Sequence, residues 1–418
     1  MRVLVAGANG FIGAHVAAAL RQAGHDVVPA TRRKLPGSLA VDFNAETDPA
    51  VWRPRLAGID AVVNCVGVLQ DGGGQSSEAI HHRAPAALFA ACVEADVRRV
   101  IHISAISANE GAGTDYAASK LRGEDALRAA PLDWAVLRPS LVYAAGSYGG
   151  TSLLRGLAGL PLCTPVVGDG SQPFSPIHAE DLARAVRVLI ERPGPLRVTL
   201  EPVGPERLTM AEILSALRAW LGFAPARLLR LPLGLVRAAC RLGDLTGAGP
   251  LRSTSLAQLQ HGNAAAPEPF IDAIGFTPRR FADALAGRPA QVQDRWHARL
   301  YFVRPLLTVA LALLWLVSGL VGLTVPAAAT AALLGVPAGF AGALGIAASL
   351  LDLAIAALVA SGRRAAHAGT IQLAVVLGYT IALSVAAPAL WLDPFGPLLK
   401  NLPILAAILA WMAMGDDR

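Results

Sequence analysis

The chain has 418 residues, of which 54% are hydrophobic and only 16% are charged, a charged share below the ~25% of an average soluble domain. Its net charge of +6 is not concentrated in a run of Lys and Arg with aromatic residues between them, which argues against a nucleic-acid-binding protein. The four cysteines lie far apart and form neither a close pair nor a metal-binding spacing, so we expect buried thiols in a reducing compartment rather than disulfides or a metal site.

The first predicted elements are a strand at residues 2–6, a glycine-rich turn and a helix at 11–23. Glycine at three positions of this turn permits a tight bend, the close approach of a pyrophosphate and close packing of the helix on the strand. The N-terminus of the helix then offers unpaired N–H groups to the phosphates. The same glycines interrupt an apolar run, so we do not expect a signal peptide. The predicted cofactor-binding residues here are Gly7, Asn9, Gly10, Phe11, Ile12 and Gly13.

The second predicted strand, at residues 26–30, is followed by Arg32 and Arg33. An NAD site usually has Asp or Glu at this place, where the carboxylate binds the 2′-hydroxyl of the ribose. No acid stands there, and a guanidinium suits a 2′-phosphate. The sequence therefore favours NADP(H) over NAD, with solvated loop arginines as the alternative explanation. After a further short apolar stretch, Asp42 is a candidate for the adenine side of the site.

Further strands alternate with alanine-rich helices at residues 84–95 and 116–129; the strands are predicted at 61–66, 100–104, 133–137 and 196–200. This alternation predicts a parallel, doubly wound sheet. Ligands of such sheets bind beyond the carboxyl ends of the strands. That rule places residues 104–107 and 138–142 at the site. It also adds a set of cofactor-binding candidates: Cys65, Val66, Gly67, Pro139, Ser140 and Val142.

Tyr116 and Lys120 lie four residues apart in a predicted helix, so their side chains would project from the same face. A nearby ammonium group favours the phenolate and would lower the pKa of the tyrosine. The phenol could then act as a general acid or base near neutral pH. Such a pair is common by chance, but its position after the strand that ends at Ser104 makes it a candidate catalytic pair.

Five segments of residues 1–295 resemble the short-chain dehydrogenase/reductase superfamily, in its extended or atypical, epimerase/dehydratase-like branch: GANGFIG, RRVIHISAIS, YAASK, LRPSLVY and FSPIHAEDLA. The resemblance implies an NAD(P)-dependent enzyme in which Tyr116 is the catalytic acid or base. Lys120 would be its electrostatic partner and would also bind the nicotinamide ribose. The loop 139–142 would contact the nicotinamide, and residues 178–181 would lie near the substrate pocket.

The resemblance also implies a serine that polarises the substrate carbonyl. The family usually has a Ser/Thr pair at the strand end, and this chain has Ser104-Ala105-Ile106-Ser107 there. Ser104 is therefore the first candidate and Ser107 the second.

Two histidines, His81 and His82, precede the predicted helix at 84–95, at a place where relatives often carry asparagine. No carboxylate or cysteine stands at ligand spacing, so we expect hydrogen bonds around the pocket rather than metal binding. Residues 194–295 would form a smaller substrate lobe, in which Thr209 and Glu212 predict a capping box. Within this lobe, the apolar stretch 228–240 contains spaced arginines; it would either lie against a membrane surface or pack as an amphipathic helix.

After Arg304 charged residues nearly vanish. Four uncharged stretches predict transmembrane helices, at residues 306–325, 340–360, 370–392 and 397–414, and 326–339 would be a loop or a short interfacial helix. Basic residues precede the first span (Arg295, Arg299 and Arg304) and fill the loop between the second and the third (Arg363 and Arg364). The positive-inside rule therefore predicts that the first domain and both termini face the cytoplasm, as in a bacterial-type inner membrane.

Two charged residues stand within the predicted spans, Asp352 and Lys400. They could pair with each other, or Lys400 could extend its side chain to the interface. The segments WLDPFGPLLKNLP and ALLWLVSGL resemble the DoxX-like family of small four-helix membrane proteins. That resemblance covers about residues 300–415 and includes members linked to quinone chemistry.

The predicted architecture is thus an α/β, Rossmann-like doubly wound sheet with a substrate lobe at residues 1–295. An all-α transmembrane four-helix bundle follows at 296–418. The predicted function is a membrane-anchored, NADP(H)-dependent oxidoreductase acting on a hydrophobic carbonyl or hydroxyl, such as a lipid, isoprenoid or quinone. One alternative is a non-catalytic NADP(H)-binding assembly protein similar to an accessory subunit of respiratory complex I. The other is a nucleotide-sugar epimerase or dehydratase, although no basic pair for a nucleotide diphosphate is evident. Each of these functions is compatible with a homo-oligomer or with a partner protein in a membrane complex.

Overall fold

The computed structural model describes residues 1–415 apart from 73, 98, 110, 112, 247–250 and 363–364. The chain divides into two compact units, Met1–Ala298 and Arg299–Arg418. The described strands are, in chain order, β1 (Arg2–Ala6), β2 (Asp26–Thr31), β3 (Leu39–Ala40), β4 (Ala61–Asn64), β5 (Arg99–Ile103), β6 (Asp133–Leu137), β7 (Val142–Tyr143), β8 (Cys163–Val167), β9 (Pro173–Phe174), β10 (Ile177–His178), β11 (Arg197–Leu200), β12 (Leu208–Thr209) and β13 (Arg227–Leu231).

The described α-helices are α1 (Phe11–Gln22), α2 (Pro49–Trp52), α3 (Ala84–Glu94), α4 (Asp115–Ala129), α5 (Gly150–Ala158), α6 (Ala179–Glu191), α7 (Met210–Trp220), α8 (Leu233–Thr246), α9 (Ser253–His261), α10 (Glu268–Ile274), α11 (Phe281–Ala286), α12 (Val292–Leu300), α13 (Val303–Gly322), α14 (Ala327–Leu334), α15 (Ala338–Ala360), α16 (Ala365–Ala386) and α17 (Asn401–Ala413). Short 3₁₀ helices lie at Arg53–Leu56 and Pro388–Trp391, and a π-helix lies at Ala79–Arg83.

A parallel sheet in the order β11-β6-β5-β4-β1-β2-β3 forms the centre of the first unit, which confirms the predicted fold class. Its central strands, β1, β4, β5 and β6, are buried on both faces. In β1, Val3 and Val5 pack into one hydrophobic core, and Leu4 and Ala6 pack into the other. Such double burial explains the nearly continuous apolar runs of the sequence. The strand order reverses at β1, which lies between β4 and β2, and a ligand crevice is expected at this reversal.

A smaller lobe consists of three two-stranded pairs, β7 with β10, β9 with β12 and β8 with β13, together with helices around a third core. It differs from the predicted substrate lobe at 194–295, because it begins at β7 and because β11 belongs to the central sheet. The predicted capping box is confirmed, because Thr209 and Glu212 each accept a hydrogen bond from the other's backbone N–H. The stretch 228–240 is not one helix. It is divided between β13 and α8, and Pro232, which lacks a backbone donor, lies between them.

Helix α12 is fixed on the smaller lobe by a buried ion pair. Arg155 Nη1 lies 3.2 Å from Asp294 Oδ1, and both side chains are almost fully buried. Arg155 also donates to the carbonyl oxygens of Ala144 and Ala145, and its guanidinium stacks over the ring of Trp220. Only residues 301 and 302 separate α12 from α13.

The second unit contains three described helices that are long and apolar enough to cross a membrane, α13, α15 and α16. The fourth predicted span is not confirmed. Turns continue from residue 397 to 400, so α17 has only 13 residues and a length of about 20 Å, short of the ~30 Å hydrocarbon core. The predicted loop or short helix at 326–339 contains α14.

The predicted Asp352–Lys400 pair is wrong. Ser318 donates to Asp352 Oδ2 at 2.6 Å and Tyr379 to Asp352 Oδ1 at 3.2 Å, so the carboxylate joins α13, α15 and α16. Lys400 is exposed at the start of α17. Hydroxyl groups on the two neighbouring helices thus donate the hydrogen bonds to Asp352 that the sequence analysis considered for Lys400. Arg363 and Arg364, on which the predicted orientation depends, lie outside the described residues.

Candidate active site

The turn between β1 and α1 accepts only glycine at two of its positions. Gly7 has a φ of +75°, and a Cβ there would lie 3.2 Å from the Val66 side chain and 3.3 Å from the Cys65 backbone. A Cβ at Gly13 would collide with the carbonyl oxygen of Gly7. Gly10, at the N-cap of α1, supplies no side-chain acceptor, so the first N–H groups of the helix are available to an anion. This turn fits a dinucleotide pyrophosphate.

The other residues predicted for the cofactor site lie in or next to this turn. Asn9 is exposed, and Phe11 and Ile12 are half-buried in the first turn of α1. On the opposite side, Cys65 and Val66 follow β4; Val66 N–H donates to Asn64 Oδ1, and burial raises the pKa of the Cys65 thiol to about 12. The Cys65 thiol is therefore protonated and unreactive at neutral pH.

Two exposed guanidinium groups follow the end of β2. Arg32 and Arg33 come directly after the buried Thr31, whose hydroxyl donates to the Arg33 carbonyl oxygen at 2.7 Å. Neither guanidinium forms an ion pair with a described residue. Asp42 is exposed and accepts the N–H of Asn44 at 2.9 Å. The end of β2 is therefore cationic, which suits an added phosphate group better than a bare ribose.

Helix α4 carries Lys120 into the space beside the strand ends. The side chain is 4% exposed, and its Nζ donates to the Ile103 carbonyl oxygen at 3.2 Å. A Cβ at Gly67 would lie 3.0 Å from the same Nζ, so glycine leaves room for the ammonium group. Two of the predicted site residues, Lys120 and Gly67, thus meet at the carboxyl ends of β4 and β5.

Tyr116 lies one turn before Lys120, half-buried, with its ring edge-on to the ring of His81 at 5.4 Å. Burial raises the pKa of Tyr116 to about 12 and lowers the pKa of Lys120 to about 8. The sequence predicted that Lys120 would lower the pKa of the phenol, and this is wrong for the protein without its cofactor. Burial removes water from around the phenol, and this raises its pKa more than the nearby ammonium group could lower it. At neutral pH the phenol is protonated and can donate its proton.

His81 belongs to the π-helix and is fully buried. Val68 N–H donates to its Nε2 at 3.0 Å, which assigns the ring proton to Nδ1, 2.9 Å from Ser119 Oγ. Ser119 in turn donates to the Tyr116 carbonyl oxygen at 3.0 Å. Burial lowers the pKa of His81 to about 2, so the ring is neutral. The predicted hydrogen-bonding role is confirmed for His81, whereas His82 contacts Glu78 at 2.7 Å.

The Ser104 hydroxyl is occupied by a hydrogen bond to a buried glutamate. Its hydroxyl donates to Glu124 Oε1 at 2.5 Å, and the fully buried Glu124 also receives Arg138 Nη2 and Arg128 Nη2, each at 2.6 Å. Among the described residues, no hydrogen bond joins Ser104 to Tyr116. Glu124 was missed in the sequence, although it follows Lys120 by four positions and so shares its helix face.

The loop 139–142 contacts both the strand ends and the smaller lobe. Ile106 N–H donates to the Pro139 carbonyl oxygen at 3.3 Å. Ser140 donates to the Asn263 carbonyl oxygen and receives the Ser175 N–H at 3.2 Å, and Val142 begins β7. Ser140 therefore connects the sheet to the lobe through its hydroxyl.

A cavity of about 320 Å³ opens where this edge of the sheet meets α9. Its side chains are mostly polar and come from the segments after β5 and β11 and from the lobe: Ile106, Asn109, Pro173, Glu201, Arg207 and His261. Helix α9 also reaches α4, because Gln258 donates to Thr114 Oγ1, the N-cap of α4, at 2.9 Å. Within the described part of the chain, no group of three or more His, Cys, Asp and Glu side chains is placed to hold a metal ion.

Two family models match the chain: the NAD dependent epimerase/dehydratase family at residues 3–198 and the DoxX-like family at residues 312–409. The ceramide reductase of Caulobacter vibrioides is 28% identical over 236 residues, which is 55% of this chain and 73% of that protein. An epimerase family protein of Mycobacterium bovis is 32% identical over 240 residues, 51% of this chain and 77% of its own length. A human epimerase family protein solved with NADPH superposes with a TM-score of 0.54 at 22% identity, over 69% of this chain and 98% of that one, and shows the fold alone.

Proposed function

Because the chain belongs to the NAD dependent epimerase/dehydratase family, we propose that it is a membrane-anchored oxidoreductase with an NADP(H) cofactor and a lipid-like carbonyl or hydroxyl substrate. The observation that carries this proposal is the position of Lys120 and Tyr116. Lys120 Nζ reaches the strand ends beside Gly67, and a protonated phenol stands one helical turn away.

The cofactor, when bound, supplies or accepts the hydride. In the reductive direction Tyr116 would donate its proton to the carbonyl oxygen while the carbonyl carbon receives the hydride, and the product is an alcohol. Lys120 would bind the ribose hydroxyls and stabilise the phenolate that remains. The glycine turn would hold the pyrophosphate, and Arg32 with Arg33 would bind a 2′-phosphate, which supports NADP(H) over NAD.

Two findings support a lipid-like substrate. The chain carries helices that can span a membrane, and one relative, matched over 73% of its length, is a ceramide reductase.

Ser104 remains our candidate for polarising the substrate carbonyl, with Ser107 second. A serine hydroxyl has a single proton, and that of Ser104 is donated to Glu124. Ser104 could therefore contact a substrate carbonyl only after releasing Glu124. Ser104→Ala should consequently reduce turnover less than any change at Tyr116.

The proposal is tested with the full-length protein in lipid nanodiscs, NADPH and a ceramide analogue that has a ketone in place of a hydroxyl. NADPH absorbance and mass spectrometry of the lipid follow turnover, and NADPH fluorescence follows binding. Tyr116→Phe should reduce turnover at least about 100-fold, the usual size of a general acid contribution, and leave NADPH binding intact. Tyr148→Phe is the matched control, since Tyr148 is 62% exposed. Equal turnover in wild type and Tyr116→Phe would refute the catalytic assignment.

The hydrogen bond from Ser104 to Glu124 also favours a second candidate, a protein that binds NADP(H) without turning it over. In that case NADPH binds with normal affinity, but neither the ketone analogue nor shorter lipid ketones are reduced. The same binding and turnover measurements on the wild-type protein separate the two functions.

A further inference from the structure

Helix α8 carries two apolar stripes on opposite faces. One stripe, Val236 and Cys240, is buried against Leu256 of α9. The other consists of Leu235, Leu242 and Leu245, which are 60%, 64% and 85% exposed. With 3.6 residues per turn, positions 235 and 242 fall on the side opposite 236 and 240. A helix on the surface of a soluble domain normally has polar residues opposite its core face, so the exposed leucines need another explanation.

The surface around this outer stripe is strongly basic. Arg237 and Arg241 are exposed on α8, and the adjoining strand β13 exposes Arg227 and Arg230 beside Leu228 and Leu229. Two acids lie close by. Asp244 accepts the Ser253 N–H and pairs with Arg252, and Asp169 accepts the Ser171 N–H and hydroxyl near Arg230. The outward side of α8 therefore combines three exposed leucines with Arg237 and Arg241, and the exposed β13 residues, which alternate between the two faces of that strand, add further basic charge nearby in the sequence.

We propose that the outer face of α8, defined by Leu235, Leu242, Leu245, Arg237 and Arg241, docks on the anionic surface of a lipid bilayer. Leucines of an interfacial helix bury themselves at the level of the headgroups, and arginines bind the lipid phosphates. Three helices of the same chain are long and apolar enough to cross a membrane, which would bring a bilayer within reach. A second copy is a poorer occupant, because a symmetric interface would bring the arginines of two copies together.

This face is one helix away from the candidate active site. Helix α8 packs on α9, whose Gln258 holds the N-cap of the helix that carries Tyr116 and whose last residue, His261, lines the polar cavity. Docking would therefore hold the cavity close to the headgroups, from which a lipid could enter it. The docking itself does not depend on the proposed oxidoreductase activity; only this route for a lipid does.

The test uses the full-length protein with the fluorescent amino acid dansylalanine in place of Leu242. The matched control has it in place of Val93, which is 40% exposed on α3. Both proteins are placed in nanodiscs containing phosphatidylglycerol, in nanodiscs of phosphatidylcholine alone, and in a lipid-free amphipathic polymer. We expect a blue shift of the emission and quenching by brominated lipids at position 242 in the anionic nanodiscs only, and neither effect at position 93.

Charge is tested by combining Arg237→Gln with Arg241→Gln, which should reduce the blue shift as high salt does, whereas Arg237→Lys with Arg241→Lys should retain it. Water-like emission at position 242 in every medium, without quenching, would overturn the proposal. A blue shift that is equal in the polymer and grows with protein concentration would also overturn it, because the face would then be covered by a second copy. None of these readouts requires turnover, so an inactive protein still tests the docking.

Discussion

Replacing Lys120 by methionine should stabilise the protein while it removes activity. The ammonium group is almost fully buried, and burial lowers its pKa from 10.5 to about 8. Each pH unit between these values corresponds to about 1.4 kcal/mol, so the buried charge destabilises the fold by about 3 kcal/mol. Methionine keeps most of the apolar stem but loses the hydrogen bond to the Ile103 carbonyl oxygen, worth about 1 kcal/mol. We expect a net gain of about 2 kcal/mol at pH 7.

The pH dependence distinguishes this cause from a general packing effect. Lys120 binds its proton more weakly in the folded than in the unfolded state, because its folded pKa is the lower one. The penalty is therefore complete below pH 8, declines as the pH rises from about 8 to 10.5, and is absent above that range. The stability advantage of Lys120→Met over wild type should shrink over the same range.

Thermal unfolding of the full-length protein in nanodiscs, followed by intrinsic fluorescence at pH 7 and pH 10, measures this difference. A gain of about 2 kcal/mol corresponds to a rise in Tm of about 3 °C for a unit of this size. Lys34→Met is the matched control, because Lys34 is exposed and should leave the Tm unchanged at both pH values. A Lys120→Met variant that is no more stable than wild type at pH 7, or equally favoured at pH 10, would refute the reasoning.

Two further variants test the cofactor turn and the buried carboxylate. Gly13→Ala places a Cβ against a carbonyl oxygen of the same turn, so NADPH binding by fluorescence titration should weaken at least about tenfold; Gly146→Ala, which meets no neighbour within 4 Å, should bind normally, and equal affinities would contradict the assigned role of the turn. Glu124→Gln leaves the partly buried Arg138 without its counter-charge and should destabilise the protein by about 3 kcal/mol in urea unfolding. Glu180→Gln, at a 57% exposed position, should have an effect below about 1 kcal/mol, and similar losses in both variants would argue against the buried network.

The parallel sheet and the position of Lys120 beside the strand ends were predictable from the sequence. Strands buried on both faces leave continuous apolar runs, and glycine turns mark where they end. The helical period alone placed Tyr116 and Lys120 on one face, and the same period could have indicated Glu124. These features depend on spacing along the chain, which is why a single sequence contains them.

What the sequence did not reveal depends on contacts between distant segments. Asp352 accepts hydrogen bonds from Ser318 and Tyr379, which lie on two other helices. The spacing of residues along the chain does not predict these partners. The raised pKa of Tyr116 follows from the loss of solvent around its phenol, which depends on packing by other segments. The hydropathy of residues 397–414 likewise could not show that the backbone stays in turns up to residue 400.

The anchoring of α12 has a consequence for how the protein would meet its substrate. The buried ion pair of Arg155 and Asp294 holds this helix on the lobe. Only two residues link α12 to α13, and a linker of two residues spans about 7 Å when it is fully extended. If α13 crosses a bilayer, as the proposed function requires, a linker of this length would not let the first unit leave the lipid surface, and the enzyme would meet a membrane-borne substrate by lateral diffusion. The half-saturating amount of a lipid substrate should then follow its mole fraction in the bilayer and not its total concentration in the sample. Diluting that lipid with inert phospholipid would slow the reaction, whereas diluting the vesicles in buffer would not.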